Sequence, residues 1–381
     1  MAGFNFDDIR PFTEEEAKIA IQRIAGQPEL KSILEFLFGK GKHKSMIKSA
    51  LEATSIMDFQ RNFMNPLVKK ILETTSAGLS TSGFESMSTD DPRLYLANHR
   101  DITLDSSMLA TVLVDRKLTP CEFTWGDNLM VSPFITDLGK INRMITVFRE
   151  GKPRETLFNA QKLSAYVRNK ITEVKLSVWI AQRKGRTKDG NDKTEVGVLK
   201  MLSLAGEGDL VTRLTALNIT PISISYEWEP CDARKLKEIY ISKSKDYVKE
   251  QDEDRQSIIG GILSDKGRVH LALGASINTK IQQLDTRLPN NEFLHQIAQL
   301  VDIEIYKNYH LWPNNFLAYD LLHQSNQYTN QYTAEIESEF KVRMKKAVSE
   351  KEGDKSEAIT LFFSMYAQPI INKLKHNLPI D

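Results

Sequence analysis

Short apolar runs alternate with longer stretches of helical periodicity between residues 94 and 226. This alternation constrains the fold of the 381-residue chain more than any other feature. The runs are short enough to be buried strands, and the stretches between them, such as residues 157–174, have the length and spacing of helices. Strands that alternate with helices are typical of an α/β domain. We therefore predict a mixed, mostly parallel sheet flanked by helices, with strands at residues 94–97, 121–125, 144–148, 178–181 and 219–225.

Most of the remaining chain has a helical pattern. Thr13 and Glu16 form the pattern of a capping box in front of an apolar helical face that ends at Gly26. Residues 268–273 alternate like one more strand, and residues 76–93 have the composition of a turn, a short strand or a linker. The predicted organisation is a helical N-terminal segment (1–75), an α/β domain (76–280) and a helical C-terminal segment (281–381).

The composition is that of an ordinary soluble globular protein. Charged residues make up 27% and apolar residues 41% of the chain, and the net charge of +1 gives no overall attraction to nucleic acid or to a membrane. Cys121 and Cys231 have no metal-binding spacing. The chain has no apolar run of about eighteen residues and no signal-peptide pattern. We therefore expect a cytoplasmic protein, and any contact that it makes with a membrane should be peripheral.

A histidine lies where the first of these strands leads into a helix. His99 follows the apolar run 94–97, and apolar residues at helical spacing begin after Thr103. The junction of a strand and a helix is where α/β folds expose reactive groups. Asp101 and Asp105 follow closely, so His99 could act as a general base with either carboxylate to orient it.

A second group of candidate residues is basic. Between Lys140 and Lys200 the chain has fifteen Lys and Arg against six Asp and Glu, although the whole chain is nearly neutral. The excess follows two strands: one ends on Arg149, and the other opens into residues 182–190, which contain Gly185, Arg186 and Lys188. Arginine side chains fork onto phosphate oxygens, and glycine lets the backbone approach an anion. This pattern predicts an anion site.

Together these residues indicate a transferase or a hydrolase that acts on a phosphorylated substrate. No Gly-x-x-x-x-Gly-Lys-Ser/Thr loop is present, which removes the commonest nucleotide-binding alternative. The triplet His99-Arg100-Asp101 is similar to that of protein kinases, but no glycine-rich loop or Asp-Phe-Gly motif accompanies it. No cluster of residues with metal-ligand spacing is present, so no metal site is predicted.

Four blocks of the chain resemble, in the same order, the motifs of the glycerolipid acyltransferases, the family of glycerol-3-phosphate and 1-acylglycerol-3-phosphate acyltransferases. Residues 98–105 (Asn-His-Arg-Asp-Ile-Thr-Leu-Asp) resemble the first motif, and residues 144–149 the second, which ends on a substrate-binding arginine. Residues 182–190 resemble the third, a loop with a phosphate-binding arginine, and residues 219–225 the fourth, an apolar strand with a proline. The chain length resembles that of bacterial members.

The resemblance implies an O-acyltransferase of phospholipid biosynthesis, cytoplasmic and peripheral on the inner face of a membrane. It would move a fatty acyl group from acyl-CoA or acyl carrier protein to the hydroxyl of glycerol 3-phosphate or of a lysophospholipid, 1-acylglycerol 3-phosphate, without a cofactor or metal. His99 would be the base, and Asp105 would hold its tautomer. The residues that would bind substrate are Arg100, Arg149, Gly185, Arg186 and Lys188.

Two departures from the family pattern leave alternatives open. The family has four residues between the histidine and the aspartate of its first motif, and this chain has five between His99 and Asp105, so Asp101 is a rival partner. Lys184 lies where the family commonly has glutamate before the glycine. The alternatives are therefore an acyltransferase for an acceptor without phosphate, such as an aminolipid, or a lipid-binding homologue with impaired catalysis. A nucleic-acid partner is not expected, since no known reader motif is present.

Overall fold

A seven-stranded sheet forms the centre of the protein. The computed structural model describes residues 3–85, 87–88, 91–250, 252–349 and 354–380. The strands are β1 (Leu79–Ser82), β2 (Leu94–Ala97), β3 (Glu122–Gly126), β4 (Met144–Val147), β5 (Val178–Ala181), β6 (Ile219–Tyr226) and β7 (Val269–Leu273). Their order is β1-β7-β6-β2-β5-β3-β4, and β6 with β7 is the antiparallel pair among otherwise parallel neighbours.

Helices lie before, between and after the strands. They are α1 (Glu14–Ala25), α2 (Pro28–Phe38), α3 (His43–Leu51), α4 (Ile56–Phe59), α5 (Asn65–Thr75), α6 (Leu104–Asp115), α7 (Pro133–Ile141), α8 (Pro153–Thr172), α9 (Val196–Leu202), α10 (Leu210–Thr215), α11 (Asp232–Ser242), α12 (Glu253–Leu263), α13 (Asn278–Gln282), α14 (Asn290–Asn308), α15 (Pro313–His323), α16 (Ala334–Ser349) and α17 (Lys355–Lys375). A π-helical turn (Gln60–Met64) joins α4 to α5, and short 3-10 turns lie at Asp127–Leu129 and Thr329–Gln331.

Both faces of the sheet are buried, which explains why β2 and β5 at its centre consist of apolar residues. In β2, Tyr95 and Ala97 pack into one core with helices α1–α6, whereas Leu94 and Leu96 pack into a second core with α8, α9 and α14. Every residue of β2 is buried. A third cluster, formed mainly by α11, α15, α16 and α17, lies apart from these two cores.

The predicted fold class is confirmed: the protein is an α/β fold with a mixed, mostly parallel sheet and helical additions at both ends. The six predicted strands begin and end within one residue of the observed ones. The capping box at α1 forms as predicted, with Thr13 and Glu16 bonding each other's backbone. Residues 79–82 form the short strand that was one of three alternatives for this region. The ends of the first and last predicted segments, residues 1–2 and 381, lie outside the described residues, and the segment boundaries stay a prediction.

The sheet topology determines where the candidate residues meet. Strands β2 to β6 run parallel, so their carboxyl ends share one edge of the sheet. His99 follows β2, Arg149 follows β4, and residues 182–190 follow β5. None of the helices in the described residues combines the length and the apolar character that a membrane span requires.

Candidate functional site

His99 and Asp105 are in direct contact at the carboxyl end of β2. The imidazole Nδ1 lies 3.0 Å from Oδ2 of Asp105. The six-residue separation is closed because α6 begins at Leu104 and turns the carboxylate back toward the strand. The His99 side chain is 12% exposed, and the Asp105 side chain is fully buried. The contact favours the tautomer with the proton on Nδ1, which leaves the Nε2 lone pair free to accept a proton.

Asp105 is held in its ionised form by hydrogen-bond donors on both carboxylate oxygens. The backbone N–H groups of Arg100 and Asp101 donate to Oδ2 at 2.6 and 3.0 Å, and the hydroxyl of Tyr226 donates to Oδ1 at 2.7 Å. Burial raises the pKa of Asp105, but the hydrogen bond and charge of His99, together with these donors, lower it below its ordinary value. A buried carboxylate in this state can orient an imidazole and stabilise its protonated form.

Asp101, the alternative partner of His99, instead binds backbone N–H groups at the start of α6. Oδ1 of Asp101 accepts from the backbone N–H groups of Thr103 and Leu104, at 2.9 and 2.8 Å. These are donors at the start of α6, so Asp101 satisfies groups that a helix start leaves unpaired. The turn that it closes absorbs the additional residue between His99 and Asp105. Of the two aspartates, Asp105 is therefore the partner of the histidine.

An aromatic ring supports the imidazole. The Trp179 side chain of β5 meets His99 edge to face, with ring centroids 5.7 Å apart. Trp179 is 3% exposed and also contacts Phe123. Asp105 binds Nδ1 of His99, and Trp179 packs against the imidazole ring. Together these two contacts fix the orientation of the ring. Its Nε2 makes no hydrogen bond with any described residue.

Arg100 is not available to a substrate. Its side chain is 1% exposed, and it forks onto two buried carboxylates: Nη2 lies 2.5 Å from Oδ2 of Asp192, and Nη1 lies 2.8 Å from Oε2 of Glu229. It also donates to the carbonyl of Gly190 and lies over the ring of Tyr309. The prediction that Arg100 binds substrate is therefore not supported, because these buried partners use its donors.

The loop after β5 is fixed to the histidine loop by its backbone and by Asp192. The N–H of Thr187 donates to the carbonyl of His99 at 2.7 Å, and the N–H of Gln182 donates to that of Ala97 at 2.8 Å. Nδ2 of Asn98 donates to Oδ2 of Asp192 at 2.8 Å. These contacts keep the predicted anion-binding loop beside the candidate base.

The cations of this loop differ in their availability. Lys188 is paired with Glu238 of α11, so its charge is already neutralised. Lys184 is exposed. Gly185, the next residue, has a φ of +75°, a backbone conformation that residues with a Cβ rarely adopt. Arg186 is half-buried, and its Nη1 has no hydrogen-bond partner among the described residues. Arg186 is therefore a partly buried cation of the loop with a donor available to a ligand.

Arg149 lies over the end of β3. A Cβ on Gly126 would collide with Nε of Arg149 and lie 2.5 Å from Oδ1 of Asn128, so the guanidinium and the amide share the space that this glycine leaves open. Burial lowers the pKa of Arg149, and the charges of Asp254 and Asp127 oppose this effect. In the described part of the chain, the guanidinium of Arg149 forms no ion pair.

Three residues of the site were not singled out in the sequence: Tyr226, Trp179 and Asp192. Trp179 lies within a predicted strand and Tyr226 lies one residue after another, and their chemistry becomes visible only when the strands are placed side by side. Asp192 lies beyond the loop that was considered. The described residues contain no group of three or more His, Cys, Asp or Glu that could hold a metal ion.

The contact between Tyr226 and Asp105 gives a first prediction. Tyr226→Phe leaves one buried carboxylate oxygen without its donor, so we expect the free energy of unfolding to fall by about 1–3 kcal/mol. Urea unfolding followed by tryptophan fluorescence measures this change. Tyr328→Phe is the control, since its hydroxyl accepts from the exposed Gln327. Equal stability of the two variants would show that the hydrogen bond to Asp105 contributes little.

Comparison with known proteins gives one structural similarity to report. Neither a known family profile nor a curated protein sequence matches the chain. Among solved structures, it is similar to the 1-acyl-sn-glycerophosphate (LPA) acyltransferase PlsC from Thermotoga maritima. The TM-score is 0.38 at 10% sequence identity, over 75% of this chain and 93% of that chain. Similarity at this level assigns neither a family nor an activity to the chain.

Proposed function

We propose that this protein is an O-acyltransferase. It moves a fatty acyl group from an acyl thioester, acyl-CoA or acyl carrier protein, to the hydroxyl of glycerol 3-phosphate or 1-acylglycerol 3-phosphate. The observation that carries the proposal is the pairing of His99 with a buried, ionised Asp105 at the sheet edge where Arg149 and Arg186 have no ion-pair partner among the described residues. A base with a fixed tautomer beside two available cations suits deprotonation of a hydroxyl on an anionic acceptor.

The chemistry is a single displacement. Nε2 of His99 takes the proton of the acceptor hydroxyl as its oxygen attacks the thioester carbonyl carbon, while Asp105 stabilises the imidazolium that forms. The carbon–sulfur bond then breaks, and the thiolate leaves with the electron pair. A thiol has a pKa of about 8.5, so the departing thiolate needs little help, and the imidazolium can return the proton to it.

The other charged residues of the site bind the acceptor or position the loops. Arg149 and Arg186 hold the anionic group of the acceptor, and the positive φ of Gly185 shapes the loop that presents Arg186. Lys188 would have to leave Glu238 to contribute. Arg100 holds the loop of Asp192 against the loop of His99, so it acts through position and not through contact with substrate.

We also propose a peripheral membrane location, since a lysophospholipid acceptor and a fatty acyl product reside in a bilayer. Several large apolar side chains on α1–α3 support it because they are exposed: Ile19 (56%), Ile33 (40%), Phe36 (71%) and Leu51 (50%). Apolar side chains in such positions can enter the interfacial region of a bilayer.

Thiol release from a long-chain acyl thioester tests the activity. Separate reactions contain glycerol 3-phosphate, 1-acylglycerol 3-phosphate or an aminolipid, and we expect release that depends on one of the two phosphorylated acceptors. Release only with the aminolipid would replace the acceptor and retain the acyl transfer. No release with any of the three, from a protein that binds lipid, would favour a homologue with impaired catalysis and contradict the proposal.

Neutralising the two arginines gives a second prediction. In the double variant Arg149→Gln, Arg186→Gln we expect the KM for the phosphorylated acceptor to rise about 100-fold or more, because each charged hydrogen bond contributes about 1.5–3 kcal/mol. The KM for the acyl thioester should change little. Arg154→Gln, an exposed arginine of α8, is the matched control. An unchanged acceptor KM in the double variant would remove these arginines from the acceptor site.

A further inference from the structure

Helix α12 lies along the candidate site, although it is outside the region that resembles an acyltransferase. Ser257 and Gly261 follow Asp254 by three and seven residues, so the three residues share one face of the helix. A Cβ on Gly261 would overlap Oδ2 of Asp101, and the Ser257 carbonyl accepts from Sγ of Cys231 at 3.4 Å. The helix thus packs directly against the turn that follows His99.

The first turn of α12 brings a carboxylate to the two available arginines. Oδ2 of Asp254 accepts from Nδ2 of Asn128 at 2.9 Å, and Asn128 and Arg149 lie over the same side of Gly126. Arg186 lies beside Cys231. Burial raises the pKa of the Cys231 thiol, and the charge and hydrogen bond of Arg186 oppose this rise. Cys231 contacts Ser257, which is one turn from Asp254 on the same face.

Asp254 is ionised and interacts electrostatically with both cations. Burial raises its pKa, but the ion pair with Lys249, the hydrogen bond from Asn128 and the charge of Arg186 lower it below the ordinary value. The charge of Asp254 acts in turn on Arg149. Among the described residues, neither arginine forms an ion pair with Asp254 within 4.0 Å.

We propose that Asp254 sets the charge selectivity of the acceptor pocket. Asp254 pairs with Lys249, whose side chain is 47% exposed, and water screens such a pair, so Asp254 remains an anion that competes with the anionic group of the acceptor for Arg149 and Arg186. This inference rests on the proposed function, because it concerns the same pocket. A fixed negative charge repels a dianion twice as strongly as a monoanion at the same distance. Asp254 therefore weakens the binding of phosphomonoesters more than that of phosphodiesters.

Removing this charge without changing the shape should reveal the competition. In Asp254→Asn we expect glycerol 3-phosphate, a dianion at pH 8, to bind about tenfold more tightly, which corresponds to about 1.4 kcal/mol. The methyl ester of glycerol 3-phosphate, a monoanion, should gain only about threefold, since half the interaction energy applies. Both gains should shrink in 1 M salt, where the Debye length is about 3 Å.

Asp252→Asn is the matched control. Asp252 is exposed, lies two residues before Asp254, and makes no side-chain capping bond to α12. The same change in net charge there should leave both dissociation constants unchanged. Near-ultraviolet circular dichroism verifies that each variant keeps the native packing.

Isothermal titration calorimetry of the full chain measures the binding without any need for turnover. Tighter dianion binding in Asp254→Asn alone, lost when Arg149 and Arg186 are also neutralised, supports the inference. If the wild type and Asp254→Asn bind the dianion equally well, the inference is overturned but the anion pocket remains. The inference is also overturned if Asp252→Asn gains as much affinity as Asp254→Asn. No dianion binding by either protein overturns both the inference and the phosphorylated acceptor of the proposed function.

Discussion

His99→Ala should lower the turnover of acyl transfer by about 10²–10⁴-fold, because that is the range in which a positioned general base contributes to a rate. The fold should persist. The His99 side chain is 12% exposed, and within the described part of the chain its one hydrogen bond is to Asp105. Asp105 keeps its donors from the backbone of Arg100 and Asp101 and from Tyr226. Steady-state thiol release, with the acceptor at saturation, measures the change in kcat.

His295→Ala is the control for this experiment. His295 is an exposed histidine within α14, and alanine suits a helix. This variant should retain wild-type turnover. If His99→Ala retained it too, His99 would not be the base, and the contact with Asp105 would serve structure alone.

The largest effect on stability should come from Arg100→Ala. The change leaves the buried carboxylate of Asp192 without its guanidinium and leaves Glu229 with Lys235 as its remaining ion-pair partner. Breaking a buried ion pair by removing one partner costs about 3–5 kcal/mol, because an uncompensated charge stays in a low-dielectric interior. We expect the free energy of unfolding to fall by this amount, as measured by urea unfolding.

Arg268→Ala is the matched control for the buried arginine. Arg268 also forks onto a carboxylate, that of Glu227, but its side chain is 47% exposed. An exposed pair contributes about 0–1 kcal/mol, since water screens it and the side chains lose entropy when they pair. A cost for Arg100→Ala no larger than that for Arg268→Ala would contradict the view of Arg100 as the residue that joins the two loops.

The fold was largely predictable because its signals are local. The apolar runs of β2 and β5 predict strands buried on both faces, and the capping box predicts the start of α1. The antiparallel pairing of β7 with β6 was not predictable, because a short alternating run does not specify its direction or its neighbour. The place of β1 beside β7 depends on that same pairing.

The site was predictable only where its residues are close in sequence. His99 and Asp105 are six residues apart and meet through one turn of backbone. Arg100 has the sequence context of a substrate-binding cation, but its role is decided by Asp192 and Glu229, which lie 92 and 129 residues away. Lys188 is likewise engaged by Glu238, which is 50 residues away. Whether a cation at a strand end is available depends on carboxylates that no local pattern reveals.

The same reason applies to α12. Its sequence shows a charged segment followed by two glycines, and nothing in it predicts a contact with the turn after His99. Gly261 can lie against Asp101 because it has no Cβ, and this close approach places Asp254 near Asn128. The charge around Asn128 and Arg149 is therefore set partly by a helix that the motifs do not include.

The central claim is that His99 activates an acceptor hydroxyl for attack on an acyl thioester. Mass analysis of the lipid product, with thiol release measured in the same reaction, tests it most directly. The wild type should form one acyl ester of glycerol 3-phosphate or 1-acylglycerol 3-phosphate for each thiol released, and folded His99→Ala should form neither at a comparable rate. Thiol release without an acylated acceptor, or an equal rate of ester formation in His99→Ala, would contradict it.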